Sequence, residues 1–502
     1  MRYLLGIDAG TTSFKAAIFT DEGELVYVRA KDYTLYSPAS DIVEFLPQAY
    51  WNVLCELLRE LLPASGIDPA GIAALSVSSQ GETLICLDRG GQTIGNAIVW
   101  LDSRAEAEAK ELGARFSRRE IFERTGQYDA SATWTACKIL WIKRHEPERF
   151  NKTYKFMLLE DYLIYRLTGK IVCEASLLPS TMMYDIQNAV WWTDLINYIG
   201  ISEDRLPEIR RCGSAVGVVT EQASKETLLK QSTIVSMGAM DQICGVVGAG
   251  VIRPGVIAEC TGSALTVTTN LTTYPQWEEK RLITCHNHVV PGRYLIMQWC
   301  QTAGMVLKWF VDSFYKAEIA SGANAYTLVN EEAELAAPGC RGLIVLPHLL
   351  GAHSPEYDLN AKGVFFGVTL AHNRGYIARA IMEAVGFMLR RNLEEIGRIA
   401  GSLPNEIYSF GGGARSDLWN SIKADITGLT VRPLDVSETA CLGASLLAGV
   451  ACGIYPDIDS ASARHLRSNA VFEPNIDNRS VYDETYTRYI ELYEALKPVF
   501  HK

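Results

Sequence analysis

The sequence predicts an α/β fold in two lobes, the second built on the same logic as the first. Three observations carry this. The chain has 502 residues, beyond the roughly 250–300 at which a single core stops growing, so at least two domains are expected. Along the first half, short apolar runs alternate with stretches of helical periodicity, the pattern of an α/β protein. A strand, hydroxyl-rich turn, strand unit at the start of the chain is echoed near residue 260.

The first unit runs from Tyr3 to Phe19. Apolar runs at Tyr3 to Ile7 and Ala16 to Phe19 flank Asp8-Ala-Gly-Thr-Thr-Ser13, which reads as the tight turn of a β-hairpin. Gly10 lets backbone approach a ligand, and Thr11, Thr12 and Ser13 offer hydroxyls and N–H groups to phosphate oxygens. Asp8 is a hard oxygen ligand suited to Mg²⁺ or its water shell. The spacing alone also admits a ligand-free Asx turn. Val43 to Leu62 has helical spacing, Ile72 to Val77 reads as a strand, and Leu84 to Asp88 is a strand entering the turn Arg89-Gly90-Gly91. Between those two strands lies Ser78-Ser-Gln80-Gly81-Glu82-Thr83. Its amide, carboxylate and hydroxyls suit a polyhydroxylated ligand, or equally a solvated hairpin loop. Trp100-Leu-Asp102-Ser-Arg104 fits either stacking on a sugar or a structural ion pair. Helices dominate from Ala105 to Leu167, including Ala136 to Arg144, as an insertion; Trp191 and Trp192 read as core anchors.

Composition shifts near 213 to 235, and the domain boundary is placed there, giving lobes 1–230 and 231–502. Asp241, in Ser236-Met-Gly-Ala-Met-Asp241-Gln242, ends a strand and precedes an apolar, glycine-rich helix. A partly desolvated carboxylate there can accept a hydroxyl proton, although the spacing is also that of a helix N-cap. The echo, Gly255 to Thr269, contains Thr261-Gly262-Ser263. One such turn per half suggests a duplicated fold gripping a nucleotide between lobes, with coincidence of two Thr/Gly turns as the alternative. Gly342 to Leu350 is a strand running into His348 and His353, and Tyr376 to Arg398 is a long helix with Ala380, Ala384 and Gly386 on a close-packing face. Ile407 to Phe410 is a strand ending in Gly411-Gly412-Gly413-Ala414, and a helix follows from Leu418 with Ser416 or Asp417 as N-cap. Strand, triple glycine and helix N-terminus together favour a nucleotide. The last helix, about 480–497, is amphipathic and Tyr-rich and is expected to pack on a lobe.

Bulk properties narrow the function. A net charge of −11 argues against a nucleic-acid surface. The sequence reaches Asp8 too early to hold a signal-peptide core, and no run approaches the ~18 to 20 apolar residues of a membrane span, so a cytoplasmic protein is expected. Ala440 to Tyr455 reads as a buried helix. The 12 Cys form no Cys-x-x-Cys pair, and His286, His288, His348 and His353 lack the company of a metal site, so both sets read as structural. Neither a P-loop nor a Gly-x-Gly-x-x-Gly after the first strand is present.

Taken in order, the motifs resemble the FGGY carbohydrate kinase family, which includes xylulokinases, glycerol kinases and gluconate kinases. The resemblance covers nearly the whole chain. It rests on Asp8 to Ser13, Thr135-Ala-Cys-Lys138-Ile-Leu-Trp141-Ile, Met237 to Gln242, Glu259-Cys-Thr261-Gly262-Ser263, Gly363-Val-Phe-Phe-Gly367-Val through Ala380-Ile-Met-Glu383, and Phe410 to Ala414 with Ser416 and Asp417. It implies a two-lobed, actin-like ATPase fold of duplicated ribonuclease H-like units, with the active site in the interlobe cleft. It also implies ATP-dependent phosphorylation of a sugar or polyol hydroxyl, with Mg²⁺ as cofactor. Residues 1–230 would form the lobe with the sugar loop and first phosphate turn; 231–502 would carry the catalytic Asp and the ATP site, with the last helix able to pack back on the first lobe.

Carried over by position, Asp241 would take the proton from the attacking hydroxyl and Asp8 would help hold Mg²⁺. Gln80, Gly81, Glu82, Asp241 and Gln242 would bind the sugar. Thr11, Thr12, Ser13, Thr261 and Gly262 would bind phosphates, and Gly304, Gly412, Gly413, Ala414 and Asp417 the rest of ATP. The sugar loop departs from the family: glycerol kinases usually have Arg-Glu where this chain has Gly81-Glu82, and many xylulokinases have Met-His after the Gln. The missing Arg leaves room and tilts the reading toward a ketose such as xylulose, with ribulose, gluconate or another sugar acid, glycerol and tetritols as alternatives. A catalytically silent sugar-binding regulator and an actin-like ATPase or chaperone are the readings of other classes. The expected partners are a small sugar or polyol and ATP, with no nucleic acid and no membrane; a homodimer is left open.

Overall fold

The computed structural model describes residues 2–502. The first half comprises β1 (Tyr3–Ala9), β2 (Ser13–Thr20), β3 (Leu25–Asp32), α1 (Pro47–Ser65), β4 (Ile72–Ser79), α2 (Thr135–His145), α3 (Leu159–Thr168), β5 (Ala215–Val218), β6 (Ile234–Ser236), β7 (Ala239–Met240) and α4 (Asp241–Gly248). The second half comprises β8 (Ile257–Thr261), β9 (Leu265–Leu271), β10 (Thr284–Asn287), β11 (Tyr294–Cys300), α5 (Gly304–Phe314), α6 (Arg374–Ala400), β12 (Glu406–Phe410), α7 (Asp417–Thr427), β13 (Thr430–Pro433), α8 (Thr439–Ala451) and α9 (Arg479–Phe500).

Each half folds around one sheet, and the two sheets share a topology. In the first, β1, β2 and β3 form an antiparallel meander, while β4 lies parallel to β1 on its other side and β6 parallel to β4. In the second, β8, β9 and β11 repeat the meander, β12 lies parallel to β8, and β13 parallel to β12. The central parallel strands are covered on both faces, which explains the near-continuous apolar runs at Leu4, Leu5 and Ile7 and at Leu75 and Val77, all buried. This is the duplicated, ribonuclease H-like, actin-like architecture that the resemblance implied.

The lobes are joined in part by a tight crossing of backbones. Although α8 follows the second sheet in the chain, it packs across the first sheet and against α4. Glycines make the approach possible. A Cβ at Gly6 of β1 would lie 1.8 Å from the Cys441 carbonyl oxygen, one at Gly248 2.0 Å from that of Thr439, and one at Gly443 2.0 Å from that of Cys244. Around this crossing, residues of both halves share a core that includes Leu4, Phe19, Val247, Ala258, Phe410 and Leu442.

Two expectations about domain layout are corrected. β6 and β7 both pair with β4, so 231–248 completes the first lobe and the chain passes to the second between 248 and 257, not at 230. The composition shift at 213–235 marks only the sheet's edge strand β5 and the helix after it. The last helix packs on the second lobe, not the first: Tyr482, Tyr486 and Tyr489 cluster about Phe387 of α6, and Tyr482 bonds Arg379 and Glu383. The segment that returns to the first lobe is α8, the apolar stretch read as a buried helix. Gly342 to Leu350 contains a strand of three residues only, Ile344–Leu346.

Gly443→Ala should separate α8 from α4. Overpacking of this kind costs roughly 1–3 kcal/mol, and at about 2–4 °C per kcal/mol the melting temperature of the variant falls by several degrees in a thermal melt.

Candidate active site

The candidate residues of the first lobe sit where β1, β4 and β7 end. Asp8 faces Ser78 across the β1–β4 pair, and the Ser78 hydroxyl donates to Asp8 Oδ1 at 3.0 Å. Asp241 opens α4, directly after Met240, which is paired with Ser79. Its strand is bulged. Val235 pairs with Leu75 and Ala239 with Ser78, four steps against three, so one residue is extra at Met237-Gly238. A β-bulge reverses the alternation of side chains beyond it. Gly238 is required there, since a Cβ would meet the Val77 carbonyl oxygen at 1.7 Å.

Carboxylates converge at these strand ends. Burial raises the Asp241 carboxyl to about 7, the Asp8 charge and, more weakly, Glu82 add to the shift, and the Gln242 N–H opposes it. Burial likewise raises Asp8, against the Ser78 hydrogen bond and the Lys15 charge. Lys15 itself is engaged at 2.6 Å by Glu438, from the loop before α8. An acid raised by neighbouring carboxylates, as Asp241 is, is relieved by a cation, and the hard oxygens of Asp8 suit Mg²⁺. A carboxylate poised near neutrality, such as Asp241, suits proton transfer at physiological pH.

The sugar loop divides into residues that face the site and one that does not. Gln80 is turned inward. It is 2% exposed, its amide nitrogen donates to the Gly10 carbonyl at 3.3 Å, and its amide oxygen accepts from the Thr83 hydroxyl at 3.2 Å. The side chain therefore ties the sugar loop to the first turn. Gly81 is buried, and a Cβ on it would meet Ser180 and Leu177. Glu82 holds a left-handed φ of 55°, strained for a non-glycine residue, and its carboxyl is raised by burial, against the Ser180 hydroxyl and the Lys138 charge. Lys138 of α2, fully buried, fixes the loop by donating to the carbonyls of Glu82 and Val99 at 3.1 and 3.0 Å. Trp100 donates its indole N–H to Thr11 Oγ1 at 2.9 Å. That leaves the Thr11 hydroxyl hydrogen available, while Thr12 is exposed and Ser13 half-buried at the start of β2. Asp102 and Arg104 form an ion pair at 2.7 Å that also takes in Glu44, so these two residues are structural.

In the second lobe the turn Gly262-Ser263-Ala264 follows β8, with Ser263 exposed. The Gly304 N–H donates to the Gly262 carbonyl at 3.0 Å, so the N-terminus of α5 abuts this turn; a Cβ at Gly304 would lie 2.3 Å from that oxygen. The Thr261 hydroxyl donates to Glu259 Oε2 at 2.7 Å and is buried, so its proton is committed inward. Glu259 also receives the Ser409 hydroxyl and the Lys423 ammonium at 2.6 Å, both ionic side chains having no exposed surface. Glu259 faces Ser409 across β8 and β12 as Asp8 faces Ser78 in the first sheet. Gly411 and Gly412 are exposed, while Gly413 is buried against Thr261 and Ala414 is buried beside it in the chain. Ser416, not Asp417, caps α7; it also bonds Asn330 at 2.6 Å, and Asp417 lies exposed in the first turn.

Sequence reasoning missed the buried supports. Lys138 had a usable signal, being the one charged residue in the run Thr135 to Ile142 of an otherwise apolar helix face. The Glu259–Lys423 pair had none, as its members stand 164 residues apart. Removing one partner of such a pair costs about 3–5 kcal/mol. Lys423→Met should lower the urea midpoint accordingly, and adding Glu259→Gln should recover a large part of that loss.

Comparison with known proteins bears on the whole chain. Residues 3–248 match the N-terminal domain, and residues 260–452 the C-terminal domain, of the FGGY family of carbohydrate kinases. A xylulose kinase of Bacillus subtilis is 30% identical over 500 residues, covering 99% of this chain and 98% of that protein. An autoinducer-2 kinase of Klebsiella pneumoniae is 30% identical over 510 residues, covering 98% and 94%. Among solved structures, the ligand-bound xylulose kinase of Lactobacillus acidophilus superposes with a TM-score of 0.89 at 25% identity, covering 100% of this chain and 99% of that one.

Proposed function

We propose that this chain, which belongs to the FGGY family of carbohydrate kinases and catalyses ATP-dependent phosphorylation of a sugar, takes a pentulose such as xylulose as acceptor and uses Asp241 as its base. The observation that carries the role of Asp241 is its position: a carboxylate raised to about 7, at a strand end, beside Asp8 and Glu82. The pentulose is supported by the xylulose kinases among the relatives and by Gly81, which stands where glycerol kinases usually carry Arg.

In this reading the acceptor hydroxyl lies against Asp241, which removes its proton as the oxygen attacks the γ-phosphorus of ATP. The bond from that phosphorus to the bridging oxygen breaks, giving a sugar phosphate and ADP. Phosphoryl transfer asks for alignment and charge neutralisation more than covalent help. Thr11, Thr12 and Ser13 donate to phosphate oxygens from the first lobe, and the Gly262 turn does so from the second. Gly304, Gly412, Gly413, Ala414 and Asp417 border the adenosine. Asp8 holds Mg²⁺, which when bound neutralises phosphate charge. Glu82 and Gln242 contact the sugar, and Gln80 contributes by holding the loop. Among the described residues no helix is long and apolar enough to cross a membrane. The proposal extends to a cytoplasmic location, which supplies ATP, and to a homodimer, whose mass a sedimentation run reads directly.

Asp241→Asn is expected to lower kcat by at least about a hundredfold in a coupled ADP-release assay, the scale of a positioned base; full retention refutes the role. The same assay over xylulose, ribulose, gluconate, glycerol, erythritol and autoinducer-2 identifies the acceptor, and the pentulose reading fails if kcat/KM is highest on another compound. Because the base must be deprotonated and its pKa is raised, kcat/KM for the sugar should be level above pH of about 7. It should fall about tenfold per unit below that value.

A further inference from the structure

The bulged segment that delivers Asp241 carries backbone N–H groups that are bonded by side chains and not by a neighbouring strand. In a buried strand each needs an acceptor, or the segment pays a desolvation cost and wanders. Two acceptors come from outside the sheet. The Gly238 N–H donates to Glu160 Oε1, on α3, at 2.8 Å. The Met240 N–H, one residue before Asp241, donates to the Ser176 hydroxyl oxygen at 3.0 Å.

Ser176 is itself set by Glu174. Its hydroxyl donates to Glu174 Oε1 at 2.9 Å, its N–H to Oε2 at 2.5 Å, and the Leu177 N–H to Oε1 at 2.9 Å. The Cys212 thiol completes the set on Oε2 at 2.8 Å. With its hydrogen committed to Glu174, the Ser176 hydroxyl can offer only a lone pair to Met240, so the direction of the bond is fixed. Glu160 and Glu174 have no exposed surface, and Ser176 has none either. None of the three lies in a turn or motif tied to ATP or sugar.

We propose that Glu160 and the Glu174–Ser176 pair are positioning residues that hold the bulged strand and thereby aim the Asp241 carboxylate. The inference rests on Asp241 being the base. The geometry distinguishes the two acids. Glu160 serves one N–H through one oxygen and its other oxygen has no partner among the described residues, so a glutamine keeps what matters. Burial, with the charges of Glu174 and Asp161, also raises its carboxyl well above the ordinary range, so the neutral amide is a close mimic. Glu174 receives four donors on two oxygens, and a glutamine would face two of them with an N–H₂.

The test compares Glu160→Gln, Glu160→Leu, Glu174→Gln and Ser176→Ala with Asp241→Asn, reading kcat, KM for ATP, KM for the acceptor and the melting temperature. A displacement near 1 Å at the reacting group costs about a hundredfold, so even partial loss of aim is visible. Ser176→Ala, Glu174→Gln and Glu160→Leu are expected to lower kcat about tenfold or more, with KM for ATP within about twofold, because neither phosphate turn is touched. Glu160→Gln should keep kcat within about twofold. The proposal is overturned if Ser176→Ala melts like the parent protein and keeps its kcat while Asp241→Asn is inactive, or if Glu160→Gln falls as far as Glu160→Leu. An active Asp241→Asn enzyme would instead remove the base itself, a separate failure.

Discussion

The close crossing of α8 over β1 and α4 is the constraint on which the rest depends. Each lobe carries part of the site, and neither part is useful unless the two keep a fixed relation. The crossing supplies it with backbone against backbone, since no Cβ fits at Gly6, Gly248 or Gly443. Backbone contacts of this kind leave no side-chain rotamers to adjust, so the joint is stiff in translation. The Lys15–Glu438 pair bridges the halves just beyond the N-terminus of α8, close to Asp8.

Electrostatics at the strand ends follows from that assembly. Bringing Asp8, Glu82 and Asp241 together in a half-buried site costs energy that an isolated lobe surface would not incur. The protein tolerates it because each acid is anchored: Asp8 by Ser78, the Glu82 backbone by Lys138, and the strand before Asp241 by Glu160 and Ser176. Such a site gains from binding a cation and a proton-bearing hydroxyl, the two things a kinase of this family brings to it.

Much of this was legible in the sequence, and what was not has physical reasons. Local structure read well: the hydroxyl turn after β1, its echo after β8, the triple glycine after β12 and the acid opening α4 are all short-range patterns. The lobe boundary did not read well. β6 and β7 reach the first sheet only by pairing with β4 some 160 residues earlier, and that pairing leaves no compositional mark. Side-chain direction was equally invisible. Gln80 and Thr261 have the right atoms for ligands, but both side chains are turned inward, Gln80 by the Gly10 carbonyl of a distant turn and Thr261, at the very end of β8, by Glu259 of the same strand.

The duplication also has an asymmetry with a chemical meaning. In both sheets an acid on the first strand accepts from a serine on the parallel neighbour, Asp8 from Ser78 and Glu259 from Ser409. In the second lobe that acid is already neutralised by the Lys423 ammonium, sealed from solvent. In the first lobe the lysine whose charge reaches Asp8, Lys15, is paired with Glu438, and the acid stays open to the cation proposed there. One half of the pseudo-symmetric pair thus carries a tethered counter-ion, while the other, with Mg²⁺ proposed at Asp8, would draw its cation from solution. On that proposal the two equivalent positions divide into a buried strut and an exchangeable socket, and a fold whose symmetry would allow two reaction centres keeps one.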